Sequence, residues 1–212
     1  MLEKADIVLT KLKQRVQAVL TAEAKAAHMI GLTPNSVSII GVILAFFSAI
    51  AYTQWQADRL YLLLAIALLL VSGFCDVLDG IVARLYRQET PFGGFMDSLL
   101  DRYADAAVYM GIIISGLCDP IWGLTALVGS MLVSYSRARA EAANVKMEMV
   151  GIAERAERII ILVIASMIAI YWEPPTTMNA AIILLAILTN LTVLQRSIYA
   201  YRKLEKKEAN LA

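Results

Sequence analysis

The chain has 212 residues, one domain's worth, of which 59% are apolar and 17% charged, against about 25% charged in an ordinary soluble domain. That shortfall points to a membrane rather than to a water-facing globule, and a formal net charge of +1 gives no case for nucleic acid. Two cysteines, Cys75 and Cys118, and the single histidine His28 make neither a disulfide framework nor a Cys/His metal site; His28 reads as a surface residue.

Residues 6–28 come first in chain order. Leu9, Leu12, Val16, Val19 and Leu20 recur at helical spacing, with Lys11, Lys13, Arg15 and Lys25 at other positions. This is the pattern of an amphipathic helix lying on the cytoplasmic leaflet, and a soluble helix packed on a partner shares it. No cleavable signal peptide is expected, because the first thirty residues mix lysines with acids and lack a continuous apolar run. Gly31 and Pro34 end this helix and start the next.

Six apolar stretches follow, at 37–53, 60–85, 95–117, 121–140, 158–171 and 178–199, each about long enough to cross a bilayer once the short fifth is completed by its flanks. Of the 19 Lys and Arg, 18 fall on one side, in or towards the termini and the connections after the second and fourth stretches, and the opposite connections hold only Arg59. Basic residues mark the cytoplasmic side, so six spans place both termini there. The expected fold class is all-α: a polytopic membrane protein with six transmembrane helices and an N-terminal interfacial amphipathic helix. It divides into a juxtamembrane helix at 1–31, a transmembrane catalytic domain at 32–202 and a charged cytoplasmic tail at 203–212.

The chemical anomaly is a set of carboxylates in apolar surroundings. Asp76 and Asp79 interrupt the second span near its cytoplasmic end, and Asp97, Asp101 and Asp105 interrupt the start of the third. An aspartate costs about 2.5–3.5 kcal/mol at the centre of a membrane helix and less near its ends. These groups must therefore be protonated, paired with bases or bound to cations. Spacings of three and four put each pair on one helix face. A short connection makes the two helices antiparallel neighbours, so four carboxylates converge. Hard oxygen ligands of this kind suit Mg²⁺, Mn²⁺ or Ca²⁺, and two metals about 3.5–4 Å apart sharing such ligands are a known arrangement for phosphoryl displacement. Gly80, Gly93 and Gly94 leave room beside them for a phosphate or ribose. The competing reading is an ion-pair network with Arg84, Arg87 and Arg102. Asp105, one turn further along, divides between supporting the ligands and a structural pair.

Asp76, Asp79, Gly80, Ala83, Arg84, Gly93, Asp97 and Asp101 spell D-x-x-D-G-x-x-A-R-x8-G-x-x-x-D-x-x-x-D. This resembles, without departure, the signature of the CDP-alcohol phosphotransferase family, and the six-span layout with its amphipathic N-terminal helix is similar as well. The resemblance implies that Asp76, Asp79, Asp97 and Asp101 hold two divalent cations, Mg²⁺ or Mn²⁺, and that Asp101 is also the catalytic general base. It implies that Gly80, Arg84 and Thr90 contact a CDP-linked lipid, as does the stretch Asn35, Ser36, Val37 and Ser38. A multi-pass homodimer in the cell membrane, with a cytoplasmic active site, is implied too.

Two further segments, from Ser134 to Glu141 and from Gly151 to Arg158, resemble the branch of that family that makes phosphatidylinositol phosphate or its archaeal counterpart. The acceptor there is inositol phosphate, and Ser134, Arg137, Arg158 and Arg196 would hold its phosphate; Arg137 stands where that branch often has lysine. The residues support a phosphorylated acceptor on their own, because Arg137, Arg139, Arg155, Arg158 and Arg196 fall at the cytoplasmic ends of spans four to six, and guanidinium suits a dianionic phosphate. The positive-inside excess accounts for part of that set. The expected reaction is in-line displacement at the lipid-side phosphorus with release of CMP. Glycerol 3-phosphate or serine are the alternative acceptors. Outside this class, a divalent-metal or proton-coupled transporter would spread its acids through the bilayer depth, and a scaffold gives no reason for the four aspartates.

Overall fold

Prolines, which have no N–H to leave unpaired, open four of the helices in the computed structural model. The structure describes residues 20–147 and 150–209, all helix or connection. Helix α1 covers residues 20–29 within that range. It is followed by α2 (Pro34–Thr53), α3 (Leu60–Leu85), α4 (Pro91–Ile114), α5 (Pro120–Ala142), α6 (Arg155–Tyr171) and α7 (Pro174–Ala209).

The helix ends carry ordinary caps. Gly31, at φ +83°, closes α1 in the left-handed conformation that glycine tolerates. Thr33 and Ser36 form a reciprocal capping box at the start of α2. Thr90 Oγ1 accepts from the Gly93 N–H at 2.9 Å and caps α4, and an Asp119 oxygen accepts from the Ile121 N–H at 2.9 Å and caps α5. The cap at Thr90 sets α4 four residues earlier than the apolar run at 95, so Asp97 lies inside a formed helix. At the other end α7 continues to Ala209, past the expected boundary at 202.

Among the described residues, three helices are long and apolar enough to cross a membrane: Pro34–Thr53, Leu60–Leu85 and Pro174–Lys206. The other three correspond to expected spans but carry charge or lack length. Helix α4 holds Asp97, Asp101, Arg102 and Asp105, α5 ends in Arg137, Arg139 and Glu141, and α6 has 17 residues. The outward faces of α2 and α3 expose Ile43, Phe47, Ile50, Leu63, Leu64 and Leu70, a surface that fits lipid better than water. Most of the expected amphipathic stripe, Leu9 to Val19, lies outside the described residues. In the described part of α1, Ala24 and Ala27 are buried with Val37, Cys75, Leu78 and Val82. His28, read as a surface residue, is half-buried and stacks on Tyr86 with ring centroids 3.6 Å apart. Cys75 and Cys118 are free and buried.

Helices α2 to α7 form a closed ring in the order α2, α3, α6, α7, α5, α4 and back to α2. The neighbours expected from the short connection, α3 and α4, are not packed broadly on each other. Both are instead seated on α2, which leaves a gap between their carboxylate faces. Small residues let α2 take that place. Gly111 of α4 meets the α2 backbone so closely that an added Cβ would lie 2.5 Å from the Ala49 carbonyl oxygen and 2.7 Å from Ala49 Cα. Several buried polar groups in the interior are paired within the ring, with Tyr52 and Ser166 hydroxyls 2.8 Å apart and Ser48 Oγ donating to the Ala65 carbonyl at 2.8 Å.

Because backbone, not a flexible side chain, fills the space beside Gly111, the two helices must part to admit a methyl. Gly111→Ala is expected to destabilise the protein by about 1–3 kcal/mol, read as a lower thermal midpoint in detergent. An unchanged midpoint would show that α2 and α4 do not meet at this glycine.

Candidate active site

The later half of α3 carries Asp76 and Asp79, and α4 carries Asp97 and Asp101 in its first half and Asp105 just past its middle. One carboxylate oxygen from each of Asp76, Asp97 and Asp101 lies within 4.8 Å of the other two. That spacing allows a single divalent cation to reach all three, and the donor set is hard oxygen. The residues therefore fit divalent metal use. Asp79, at 5% exposure, stands beside the trio and accepts a short hydrogen bond from Ser38 Oγ of α2. All four aspartates line one small cavity together with Ser38 and Arg155.

Arg155, the first residue of α6, is the cation inserted among them. Its Nη1 lies 2.7 Å from Asp76 Oδ1 and donates to Asp101 Oδ1, while its Nε is 3.5 Å from Asp105 Oδ1. Asp105 takes the structural pairing: Arg158 Nη2 donates to its Oδ2 at 2.6 Å and Ser130 Oγ at 3.2 Å. The arginines expected to neutralise the aspartates contribute little. Among the described residues Arg84 and Arg87 form no ion pair with them, and Arg102 Nη1 stands 3.8 Å from Asp101 Oδ2 while donating to the Ser98 carbonyl of its own helix. The sequence places Arg155 only among the basic residues at the cytoplasmic ends of the later spans. No local spacing rule links it to acids that precede it by 54 and 79 positions.

Two larger cavities flank the carboxylates. One, of about 340 Å³, is lined by Asn35, Ser38, Asp79, Arg84, Thr90 and Asp97 among others. Gly93 and Gly94 form part of its wall. Gly80 lies behind Arg84, and a Cβ there would be 3.3 Å from Arg84 Nη1, so the glycine gives the guanidinium its place. Of the stretch at 35–38, Asn35 and Ser38 face this cavity. The Ser36 side chain is engaged in the capping box with Thr33 and Val37 is buried in the packing against α1 and α3.

The other cavity, of about 150 Å³, is lined by Asp101, Ser134, Arg137, Arg155, Arg158 and Arg196, with Arg102, Asp105 and Glu154 nearby in its wall. All four residues expected to hold an acceptor phosphate are thus brought together, although Arg139 is not: it lines a separate, mostly apolar groove between α5 and α7. Arg196, at 2% exposure, is held by all three nitrogens. Its Nε donates to the Val150 carbonyl at 2.7 Å, Nη1 to the Val133 carbonyl at 2.6 Å and Nη2 to Glu154 Oε1 at 2.9 Å. Arg158 Nη1 donates to the Ala153 carbonyl at 3.1 Å. The segment leading into α6 is fastened to α7, with Ile152 and Ala153 N–H groups donating to Thr192 Oγ1. Gly151 makes the turn at φ +127°, a conformation open to glycine and rarely to other residues.

Residues 31–194 match the family model described as CDP-alcohol phosphatidyltransferase. The archaetidylinositol phosphate synthase of Methanothermobacter thermautotrophicus is 43% identical over 179 residues, covering 84% of this chain and 88% of its own. The crystal structure of Mycobacterium tuberculosis phosphatidylinositol phosphate synthase with CDP-DAG bound superimposes with a TM-score of 0.75 at 28% identity, covering 87% of this chain and 94% of that one. The same enzyme in complex with manganese and citrate gives a TM-score of 0.74 at 28% identity, covering 86% and 88%.

The Asp105–Arg158 pair is almost fully enclosed, with side-chain exposures of 14% and 4%. Removing one charge leaves the other buried without a partner. Asp105→Asn is therefore expected to cost about 3–5 kcal/mol of stability, measured as a large loss of thermal midpoint in detergent; a change within error would mean that water reaches Arg158.

Proposed function

Because the chain belongs to the CDP-alcohol phosphatidyltransferase family, we propose that it transfers the phosphatidyl-type group of a CDP-linked lipid to inositol phosphate and releases CMP. One observation carries this reading: the carboxylate cluster lies between two cavities of opposite character. Asp79 and Asp97 face the larger one, where Arg84 stands alone against three acids, whereas Asp101 faces the smaller one, where five arginines stand against three acids. A donor whose pyrophosphate is accompanied by cations suits the first, and a phosphorylated acceptor suits the second. The relatives named as synthases of archaetidylinositol phosphate and phosphatidylinositol phosphate support the same acceptor. CDP-diacylglycerol and CDP-archaeol present one head to the donor cavity.

In this reading Asp76, Asp79, Asp97 and Asp101 hold two divalent cations, Mg²⁺ or Mn²⁺. When bound, these supply neutralisation of the pyrophosphate and of the departing CMP. The rest is the work of side chains. Arg84, Asn35 and Thr90 orient the CDP head in the larger cavity. Ser134, Arg137, Arg158 and Arg196 grip the acceptor phosphate and aim its hydroxyl at the lipid-side phosphorus, from the side opposite the leaving group. Asp101 opens onto the acceptor cavity and takes the proton of the attacking hydroxyl. Six spans with both termini and the site cytoplasmic agree with the helix directions, since the starts of α2, α4 and α6 and the later parts of α3, α5 and α7 all reach the site. A homodimer is part of the proposal, tested by mass measurement in lipid discs.

Purified protein incubated with CDP-lipid and candidate alcohols is expected to release CMP with inositol phosphate, and to stop in EDTA. Asp101→Asn should abolish turnover and keep CDP-lipid binding; near-normal CMP release from it would remove Asp101 as the base. Arg137→Ala should raise KM for inositol phosphate by roughly tenfold to a hundredfold, the loss of a charge-assisted hydrogen bond, with little change for the donor. Arg84→Ala should show the reverse. Free inositol, serine or glycerol 3-phosphate reacting as well as inositol phosphate would sink the acceptor assignment and leave the family reaction standing.

A further inference from the structure

Arg155 reaches both the carboxylate cluster and the basic cavity. It lines the central cavity with the four aspartates and also the basic cavity with Ser134 and Arg137, so it stands on the border of the two. Its contacts to Asp76 and Asp101 both run through the single nitrogen Nη1. Its Nε is buried, lacks a hydrogen-bond partner among the described residues, and stands 3.5 Å from Asp105 Oδ1. A guanidinium bound in this way forgoes the two-pronged grip that makes arginine–carboxylate pairs strong. Arg196, by contrast, is locked by three nitrogens, and Arg158 by two.

The oxygens that Arg155 takes belong to Asp76 and Asp101, two of the three carboxylates that a cation could reach together. A guanidinium and a divalent ion therefore compete for the same acids. We propose that Arg155 is a displaceable counter-ion: divalent metal drives its guanidinium off Asp76 and Asp101 into the basic cavity, where it adds a ligand for the acceptor's phosphate. It is a positioning residue that couples metal loading to anion binding, and the inference rests on the metal reading proposed above. Two consequences follow from charge alone. Metal affinity is lowered by the presence of Arg155. Metal and phosphorylated acceptor each tighten the binding of the other, since coupling between two sites is reciprocal.

The test measures binding, not turnover. Free Mn²⁺ is followed by its paramagnetic resonance signal in detergent-purified full-length protein, with and without inositol phosphate and with no CDP-lipid present. Arg155→Gln is expected to bind Mn²⁺ about tenfold more tightly than wild type, the release of one charge-assisted hydrogen bond. In wild type, inositol phosphate should tighten Mn²⁺ several-fold, and in the variant that coupling should vanish. Arg155→Lys, which keeps the charge, should bind Mn²⁺ as wild type does. A glutamine variant that binds Mn²⁺ no better than wild type, or that keeps the full coupling because the phosphate bridges to the metal directly, would overturn the inference. Should that variant fail to fold, side-chain NMR of arginine-labelled wild type decides: Mg²⁺ must release one protected guanidinium, and no released group overturns the proposal. Wild-type protein that binds no Mn²⁺ at all would instead remove the metal reading, and this inference with it.

Discussion

Carboxylates whose oxygens lie within 4.8 Å of one another cannot all stay ionised at the end of an apolar bundle unless positive charge stands among them. Much of the architecture answers that constraint. Helices α3 and α4 bring the acids together but are not packed broadly on each other, and α2 seats both and binds Asp79 through Ser38. The balancing charge comes from α6, which packs beside α3 in the ring and stands opposite α4, and there Arg155 and Arg158 divide the work. Arg155 serves Asp76 and Asp101, and Arg158 serves Asp105. Asp105 is thereby separated from its neighbours in chemistry although it shares their helix. Its charge is spent on a buried pair, and theirs is left within reach of a cation.

The gap between α3 and α4 also explains why the site has two sides. Packed helices would have closed over their carboxylates and left a buried ion-pair network. Seating both on α2 leaves a passage, with one cavity opening past Asp79 and Asp97 and the other past Asp101. A transfer reaction in which attack and departure occur on opposite faces of one phosphorus needs that kind of access. The small residues of the motif act here through space. Gly80 yields room to Arg84, and Gly93 lies under the cap at Thr90 with Asn35 close by.

What the sequence made legible was local. Three- and four-residue spacings placed each aspartate pair on one helix face, and Pro34 marked where α2 begins, whereas the caps that start α4 and α5 at Thr90 and Asp119 emerged only in the structure. Such signals act within one or two turns, where a few dihedral angles set the outcome. The route of the compensating charge was not legible, because Arg155 and Asp101 meet only through the closure of the ring, 54 residues apart. The expected packing of α3 on α4 failed for the same reason: a short connection limits distance along the chain but does not forbid a third helix from taking the place between. Val37 shows a milder form of this. It sits in a stretch expected to face the donor, yet α2 turns it into the packing with α1 while Asn35 and Ser38, on either side, face the cavity.

The pre-set geometry of the basic cavity supports the proposal of a phosphorylated acceptor. Arg196 and Arg158 are fixed by backbone carbonyls at Val150, Val133 and Ala153, so little side-chain freedom remains to be lost when a ligand arrives. A guanidinium has five N–H donors, and the bonds that hold Arg196 and Arg158 leave others on each to point at a ligand. A free polyol would enter among these fixed charges without an anion to match them, leaving donors imperfectly paired in a partly enclosed space. Discrimination of this sort, by groups that go unsatisfied when the wrong ligand binds, is stronger than discrimination by fit alone. On the proposed reading, the arginines that hold the loop before α6 in place also select the charge of the acceptor, so local stability and choice of substrate would rest on one set of bonds.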